Sequence, residues 1–321
     1  MLYIKIKMHQ CGYYRSREYY KLQDIILNTF YMKKVPCKLR TKICDDKILL
    51  ESIYNNTFIK LIDLEDNGLN ADIVYPLHYL QSLPSIITDP DTIRYEHDII
   101  CNVYHFLEFL NNNKIEFKYD NLIIICNVKD LDNAYWNGFY LTFGNGTSGH
   151  SAFTSQMIVG HELSHALIQQ INDLEYQGQS GSLNESFADI GGVCYEFYMK
   201  EKFSSLGWEL GSETGLKLRN MKDPHECNQP MKVNDLYYVN PDSYDDNGGV
   251  HTNSGIPNHM FYEIQFHIGY KKAFIFFIKV LRRLNRYSQF KDFANELTFI
   301  NGIHRFMNDI LLLDIIDKHI K

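Results

Sequence analysis

The chain has 321 residues, 45% of them hydrophobic and 22% charged, with a net charge of −7 at pH 7, the balance of a folded globular protein and not of a disordered one. Its longest apolar run, "AFIFFIKVL" at 273–281, falls far short of the ~20 residues that a membrane-spanning helix needs. Seven cysteines (Cys11, Cys37, Cys44, Cys101, Cys126, Cys194 and Cys227), odd in number and without CxxC spacing, argue against a disulfide framework or a cysteine-held metal and favour a reducing compartment.

The opening "MLYIKIKMHQ" carries charges where a secretory signal needs an uninterrupted apolar stretch. Residues 1–42 hold ten Lys and Arg against Glu18 and Asp24, a charge of +8, which leaves 22 basic and 37 acidic residues, or −15, for the rest. Such a basic arm either folds back on the acidic body, meets an anionic surface or is simply solvated. Segment 16–32 has helical spacing. From 37 to 89, short β-branched runs such as "TFIKLIDL" and "ADIVYPL" alternate with Asn/Asp/Gly turns and read as strands. A helix is expected over 94–112, then strands over 121–128 and 138–144. Helical patterns fill 152–171, 183–202, 257–270, 271–286, 289–298 and 302–318. The expected organisation is a basic extension (1–36), a mixed α/β lobe (37–174) and a mostly helical lobe (175–321). Nothing in it resembles a nucleic-acid-binding module.

One helical turn, "GHELSH" at 160–165, carries more than a core face requires. Positions i and i+4 share a helix face, so His161 and His165 can reach one metal ion while Glu162 stands at the edge of that face. This is the H-E-x-x-H zinc pattern, although a helix with two buried, hydrogen-bonded histidines looks the same locally. A hydrolytic zinc takes three protein ligands and keeps one position open. Twenty residues beyond His165, in "GSLNESFADIGG", Glu185 and Asp189 again stand at i and i+4 with Asn184 beside them. Glu185 supplies the third ligand of a His2Glu site. Asn184 and Asp189 are the right residue types to orient ligand imidazoles through their second ring nitrogens.

With that spacing the chain resembles the thermolysin-like zinc metallopeptidases. Other blocks agree in order: "NAYWNGFYLTFGNG" (133–146) is similar to the family's edge-strand block, "LRNMKDP" (218–224) to its arginine block, and "DNGGVHTNSGIPN" (246–258) to its histidine block. The resemblance is specific over about 130–260 and weaker on either side. It implies an α+β, two-lobed fold, with a mixed α/β N-terminal lobe, a mostly helical C-terminal lobe, and one zinc ion in the cleft between them. It also implies an endopeptidase with Glu162 as general base. His251 and Tyr176 would donate to the oxyanion, and Asp246 would hold the tautomer of His251. Arg219 would bind a substrate carbonyl, and Asn133 and the Ala134 backbone would pair with an extended peptide. Leu218 and Ile158 would line a hydrophobic pocket after the scissile bond, implying cleavage before Leu, Phe, Ile or Val.

The departures are specific too. The family's double calcium site takes an aspartate where this chain has Met157, and acidic positions are replaced by Gly207 and Ser212. Glu196 and Glu209 remain, enough for a single weakened calcium site at most. The short N-terminal extension resembles the protealysin-like subgroup, with a short propeptide and no signal, although that subgroup's N-terminal proline motif is missing. These features lead to the expectation of a monomer acting on peptide or protein, without nucleic acid or a transmembrane segment, cytoplasmic or exported by a non-classical route. The contrary reading is a silent or self-blocked protein of the same fold, its basic arm lying in an acidic cleft. A zinc hydrolase of non-peptide substrates is a second, against which Arg219 and Asn133 weigh.

Overall fold

The computed structural model describes residues 39–44, 47–54, 57–63, 81, 86–87, 93–147, 153–200 and 207–320. The expected helix at 16–32, the strand at "ADIVYPL" and the basic extension lie outside these residues. The chain forms two compact units, Met1–Ser155 and Gln156–Lys321. The division falls ahead of the helix that bears "GHELSH".

In the first unit, strands β1 (Leu39–Cys44), β2 (Lys47–Tyr54), β3 (Thr57–Asp63), β4 (Ile86–Ile87), β5 (Asn121–Val128), β6 (Ala134–Trp136) and β7 (Leu141–Gly144) form one mixed sheet. Its order is β1-β2-β3-β5-β7-β6, with β4 pairing β2. The β3–β5 and β5–β7 pairs are parallel; the others are antiparallel. That explains the composition of β5, "NLIIICNV", in which every residue after Asn121 is buried: a central parallel strand is covered on both faces and loses the apolar–polar alternation. Helix α1 (Ile93–Asn112) presents Ile99, Ile100, Val103, Phe106, Leu107 and Leu110 to the core, the spacing of one helical stripe. Strand β6 closes one end of the sheet, so Asn133 and Ala134 sit at an edge.

The second unit is built around α3 (Gly178–Lys200), buried on nearly every side from Ser180 to Phe197. Around it stand α2 (Gln156–Ile171), α4 (Asp246–Asn253), α5 (Gly255–Ile268), α6 (Tyr270–Leu281), α7 (Phe290–His304) and α8 (Asp309–Ile320). A short hairpin, β8 (Glu209–Leu210) with β9 (Arg219–Asn220), joins them. An aromatic cluster forms the core: Phe277 meets the rings of Phe187, Phe261 and Phe293 at centroid distances of 6.1, 5.0 and 5.6 Å, the range favoured by edge-to-face pairs. Among the helix boundaries that differ from those expected, two show what moved them. Helix α3 starts five residues earlier, and α7 runs without a break to His304. Gly302 is exposed in its last turn, where its propensity cost of about 1 kcal/mol does not outweigh the packing of Leu297 and Ile300. Arg305, left-handed at φ 54°, ends the helix and returns its N–H to Asn301 O.

Candidate active site

The site begins with the contact between α2 and α3. A Cβ on Gly192 would stand 2.5 Å from Met157 O, and one on Gly191 2.0 Å from Ser164 Oγ. Only glycine lets the two backbones approach so closely. The approach brings the inner faces of both helices together, and those faces carry the charged side chains.

His161 and His165 project from α2 with Nε2 atoms 3.0 Å apart. Their other nitrogens are committed elsewhere. His161 Nδ1 lies 2.8 Å from Asp189 Oδ1, and His165 Nδ1 lies 2.8 Å from Asn184 Oδ1, whose own amide donates to Leu174 O. Both partners are acceptors, so both Nδ1 atoms carry the proton and both Nε2 lone pairs face each other. They can coexist only with a cation between them, either an added proton or a metal ion. Glu185 completes the set from α3. Its Oε1 is 3.4 Å from His165 Nε2. Its Oε2 is 3.7 Å from His161 Nε2 and is a buried oxygen without a hydrogen bond among the described residues. The ligand atoms of all three lie within 4.8 Å of one another. Two neutral imidazoles, one carboxylate and an orphaned buried oxygen fit the donor set of a hydrolytic zinc.

The electrostatics follow from this geometry. Burial pulls both imidazoles toward the neutral form and takes His165 down to about 4. At His161 the hydrogen bond and charge of Asp189, with the charges of Glu162 and Glu185, outweigh burial and raise its pKa. In the metal-free protein His161 is therefore the ring that takes the shared proton. Burial would raise Glu185, but the positive fields of His165, His251, His161 and Arg219 hold it down to about 2. Arg219 likewise overcomes the effect of burial at Asp189 and keeps it well below the usual carboxylate range.

Asp189 is the hub of the supporting shell. It accepts two hydrogen bonds from Arg219, from Nε and Nη2, each 2.7 Å, and one from Asn258 Nδ2 at 2.7 Å. Arg219 also approaches Glu185 Oε2 to 3.6 Å. Asn258 is absent from the residues singled out by sequence, yet it lies at the end of "DNGGVHTNSGIPN" and is clamped in turn by Ser186 Oγ at 2.8 Å.

Glu162 is buried beside the ligands, with Oε1 4.0 Å from His161 Nε2. Across from it, Tyr176 (41% exposed) donates its hydroxyl to Glu185 Oε1 and stands 3.0 Å from His251 Nε2. Burial, reinforced by the charge of Glu185, raises the tyrosine pKa and keeps its proton in place. His251 Nδ1 is 2.5 Å from Asp246 Oδ1, and the backbone N–H groups of His251 and Thr252 donate to Asp246 Oδ2 at 3.0 and 3.1 Å. This return contact depends on four successive left-handed residues, Asp246, Asn247, Gly248 and Gly249 (φ 51, 48, 80 and 74°). Asn, Asp and Gly are the residues that tolerate that conformation.

Leu218 is exposed at the start of β9, its N–H donating to Leu210 O at 2.9 Å, and Ile158 is buried on α2. In the first unit, Asn133 Oδ1 accepts from the Ala134 N–H at 2.9 Å, and Asn133 O accepts from Gly144 N. At the calcium positions, a Cβ on Gly207 would meet the Phe197 ring at 2.3 Å, so no aspartate fits there without moving that ring. Glu196 pairs with Lys200 at 2.6 Å and Glu209 with Lys217 at 2.9 Å, so the surviving carboxylates already have cations.

Comparison with known proteins agrees with this geometry. The family described as "Thermolysin metallopeptidase, catalytic domain" matches residues 98–169, and "Thermolysin metallopeptidase, alpha-helical domain" matches residues 172–301. Protease PrtS of Photorhabdus sp. (strain Az29) is 31% identical over 321 residues, covering 88% of this chain and 82% of that protein. The Zinc metalloproteinase of Listeria monocytogenes is 38% identical over 174 residues, and Bacillolysin of Bacillus cereus 39% over 143. These two matches span 52% and 41% of this chain but only 33% and 24% of those relatives. Among solved structures, the precursor of protealysin, a metalloproteinase from Serratia proteamaculans, superposes with a TM-score of 0.64 over 83% of this chain and 87% of that one. At 22% identity it shows the shared fold.

Proposed function

The chain belongs to the thermolysin-like zinc metallopeptidases, and on that basis we propose that it is an endopeptidase that cuts on the N-terminal side of bulky hydrophobic residues, with Glu162 as general base. The observation that carries this reading is the opposed pair of imidazole lone pairs beside the Glu185 oxygen that makes no hydrogen bond among the described residues. His161, His165 and Glu185 would hold zinc, which when bound polarises a carbonyl and acidifies a water.

The remaining work belongs to this chain's side chains. Glu162 would take a proton from the attacking water and return it to the leaving amine, the general acid–base role. Tyr176 and His251 would donate to the oxyanion of the tetrahedral intermediate; losing one such donor costs ~10²–10³ in rate. Asp246, bonded to Nδ1, would hold the His251 ring so that Nε2 faces the substrate. Asn184 and Asp189 would fix the two ligand rings. Arg219, already oriented by Asp189, would offer its guanidinium to a substrate carbonyl. The edge position of Asn133 and Ala134 supports pairing with an extended peptide as an added strand. Leu218 and Ile158 would set the preference for a large apolar residue after the cut.

The substrate is a peptide or protein, and no helix among the described residues is long and apolar enough to cross a membrane. We further propose that the protein works as a monomer and without nucleic acid. The buried thiol of Cys194 supports work in a reducing compartment, either in the cytoplasm or before export by a non-classical route. Mapping the cuts in an unstructured peptide rich in Leu and Phe tests the specificity. Chelator-sensitive cleavage before those residues is expected; cleavage elsewhere, or insensitive to chelator, would refute it.

A further inference from the structure

A second cluster of metal-ligating side chains lies outside this site. His259 and Glu263 stand at i and i+4 on α5, and His319 comes from the last turn of α8. Their ligand atoms lie within 4.8 Å of one another. Glu263 Oε1 is 3.4 Å from His259 Nε2, and Oε2 is 3.1 Å from His319 Nε2. Both histidines are buried.

The other ring nitrogens decide what these contacts mean. His259 Nδ1 donates to Met221 O at 3.1 Å, and His319 Nδ1 donates to Met231 O at 2.6 Å. A carbonyl can only accept, so both Nδ1 atoms carry protons and a neutral ring must aim its Nε2 lone pair at a carboxylate oxygen. Acceptor facing acceptor is repulsive. A second proton on either ring relieves that ring's contact alone and leaves the other lone pair facing the carboxylate, and protons on both put two cations on rings whose centroids are 5.3 Å apart. One ion shared by the three groups removes the conflict. Imidazoles held by backbone carbonyls through the second nitrogen are also the usual form of a metal-ligating histidine.

We propose that His259, Glu263 and His319 form a second binding site for a divalent transition-metal ion of the zinc class. Two imidazoles with one carboxylate suit zinc and its neighbours, whereas calcium and magnesium take oxygen ligands. Glu263 and Lys318 also border a surface pocket of about 540 Å³ with Tyr262, Phe266 and Asp314, which gives an ion access and leaves room for water as a further ligand. Lys318 now bonds to Glu263 Oε1, but its side chain is 58% exposed and can swing into solvent as the ion enters. Because the ligands come from two helices, the ion would tie the C-terminal helix α8 to α5. None of these residues belongs to the His161–His165–Glu185 set, so the proposal is independent of peptidase activity.

The test is metal stoichiometry of the full chain, equilibrated with zinc, desalted and measured by elemental analysis. Two ions per chain are expected for the wild type, one for Glu263→Gln and one for Glu185→Gln. Cobalt replacing zinc should give a tetrahedral absorption band that survives in Glu185→Gln and is lost when Glu263→Gln is added. Glu263→Gln preserves shape at a half-buried position; should it nevertheless fail to fold, Lys318→Ala removes the competing cation at an exposed one and should tighten binding of the second ion severalfold. One ion per chain in the wild type, lost in Glu185→Gln and indifferent to Glu263→Gln, would overturn the proposal. So would a Lys318→Ala protein that binds zinc no more tightly.

Discussion

His161 and His165 face each other with their Nε2 atoms 3.0 Å apart while Asp189 and Asn184 hold the protons on the opposite nitrogens. The folded chain therefore keeps two lone pairs aimed at one point. Zinc should stabilise the fold by mass action, about 4 kcal/mol at a thousandfold excess over the dissociation constant. Thermal melts of the Glu263→Gln protein, with zinc and then with chelator, isolate this site. A melting point that rises with zinc is expected, and an unchanged one would show that the opposed imidazoles bind no ion.

Asp189 serves His161, Arg219 and Asn258 at once. Replacing it with Asn keeps the shape but leaves the buried guanidinium of Arg219 without its bidentate partner. Breaking a buried ion pair on one side costs about 3–5 kcal/mol, and denaturant unfolding should register a loss of that size. Asn184→Ala frees one imidazole and the Leu174 carbonyl and breaks no ion pair. It should weaken zinc affinity about 10–100-fold with a much smaller effect on stability, and equal stability losses in the two variants would contradict this division of labour.

Acid should destabilise the metal-free protein. Folding holds His165 at about 4 against an ordinary 6.5, and Glu185 at about 2 against 4.5. A depressed folded pKa gives stability that is complete above the unfolded value and is lost as the pH falls toward the folded one. The histidine contribution should fade between about pH 6.5 and 4, and the glutamate contribution between about 4.5 and 2. His161, raised in the fold, acts in the opposite sense and gives stability below 6.5 that is lost as the pH rises. Urea midpoints measured across this range with chelator present should fall on acidification, first as His165 and then as Glu185 takes up its proton. A flat profile below pH 4 would contradict the assigned environment of Glu185.

Calcium should do little. Phe197 occupies the space that an aspartate at position 207 would need, and Glu196 and Glu209 are paired with lysines. Melting curves with millimolar calcium and with a calcium chelator, both at fixed zinc, should coincide. A clear upward shift with calcium would reveal a site assembled from other residues.

What can be read from the sequence depends on how local each relationship is. The turns around His161–His165 and Glu185–Asp189 are legible because helical spacing alone puts each pair on one face. The run "NLIIICNV" announces a buried strand in the same way. The start of α3 is not legible, because its first turn, "GQSG", has weak helical propensity and is held by tertiary contacts such as Ser180 Oγ to Arg286 O. Nor is Asn258, an ordinary helical asparagine until Asp189 is brought to it from 69 residues away. The His259–Glu263 pair has the same i, i+4 spacing as the pair in "GHELSH" and could have been noticed, but His319 joins it only through the docking of α8.

In the proposed mechanism Glu162 performs the proton transfer while His161, His165 and Glu185 hold the metal. Glu162→Gln separates the two roles, since the amide keeps the side chain's shape and cannot accept the water's proton. Zinc content and cleavage of a Leu/Phe peptide should be measured on the same preparation. Unchanged zinc with turnover reduced by at least ~10² is the predicted result. Turnover retained at the wild-type rate with zinc in place would contradict the account.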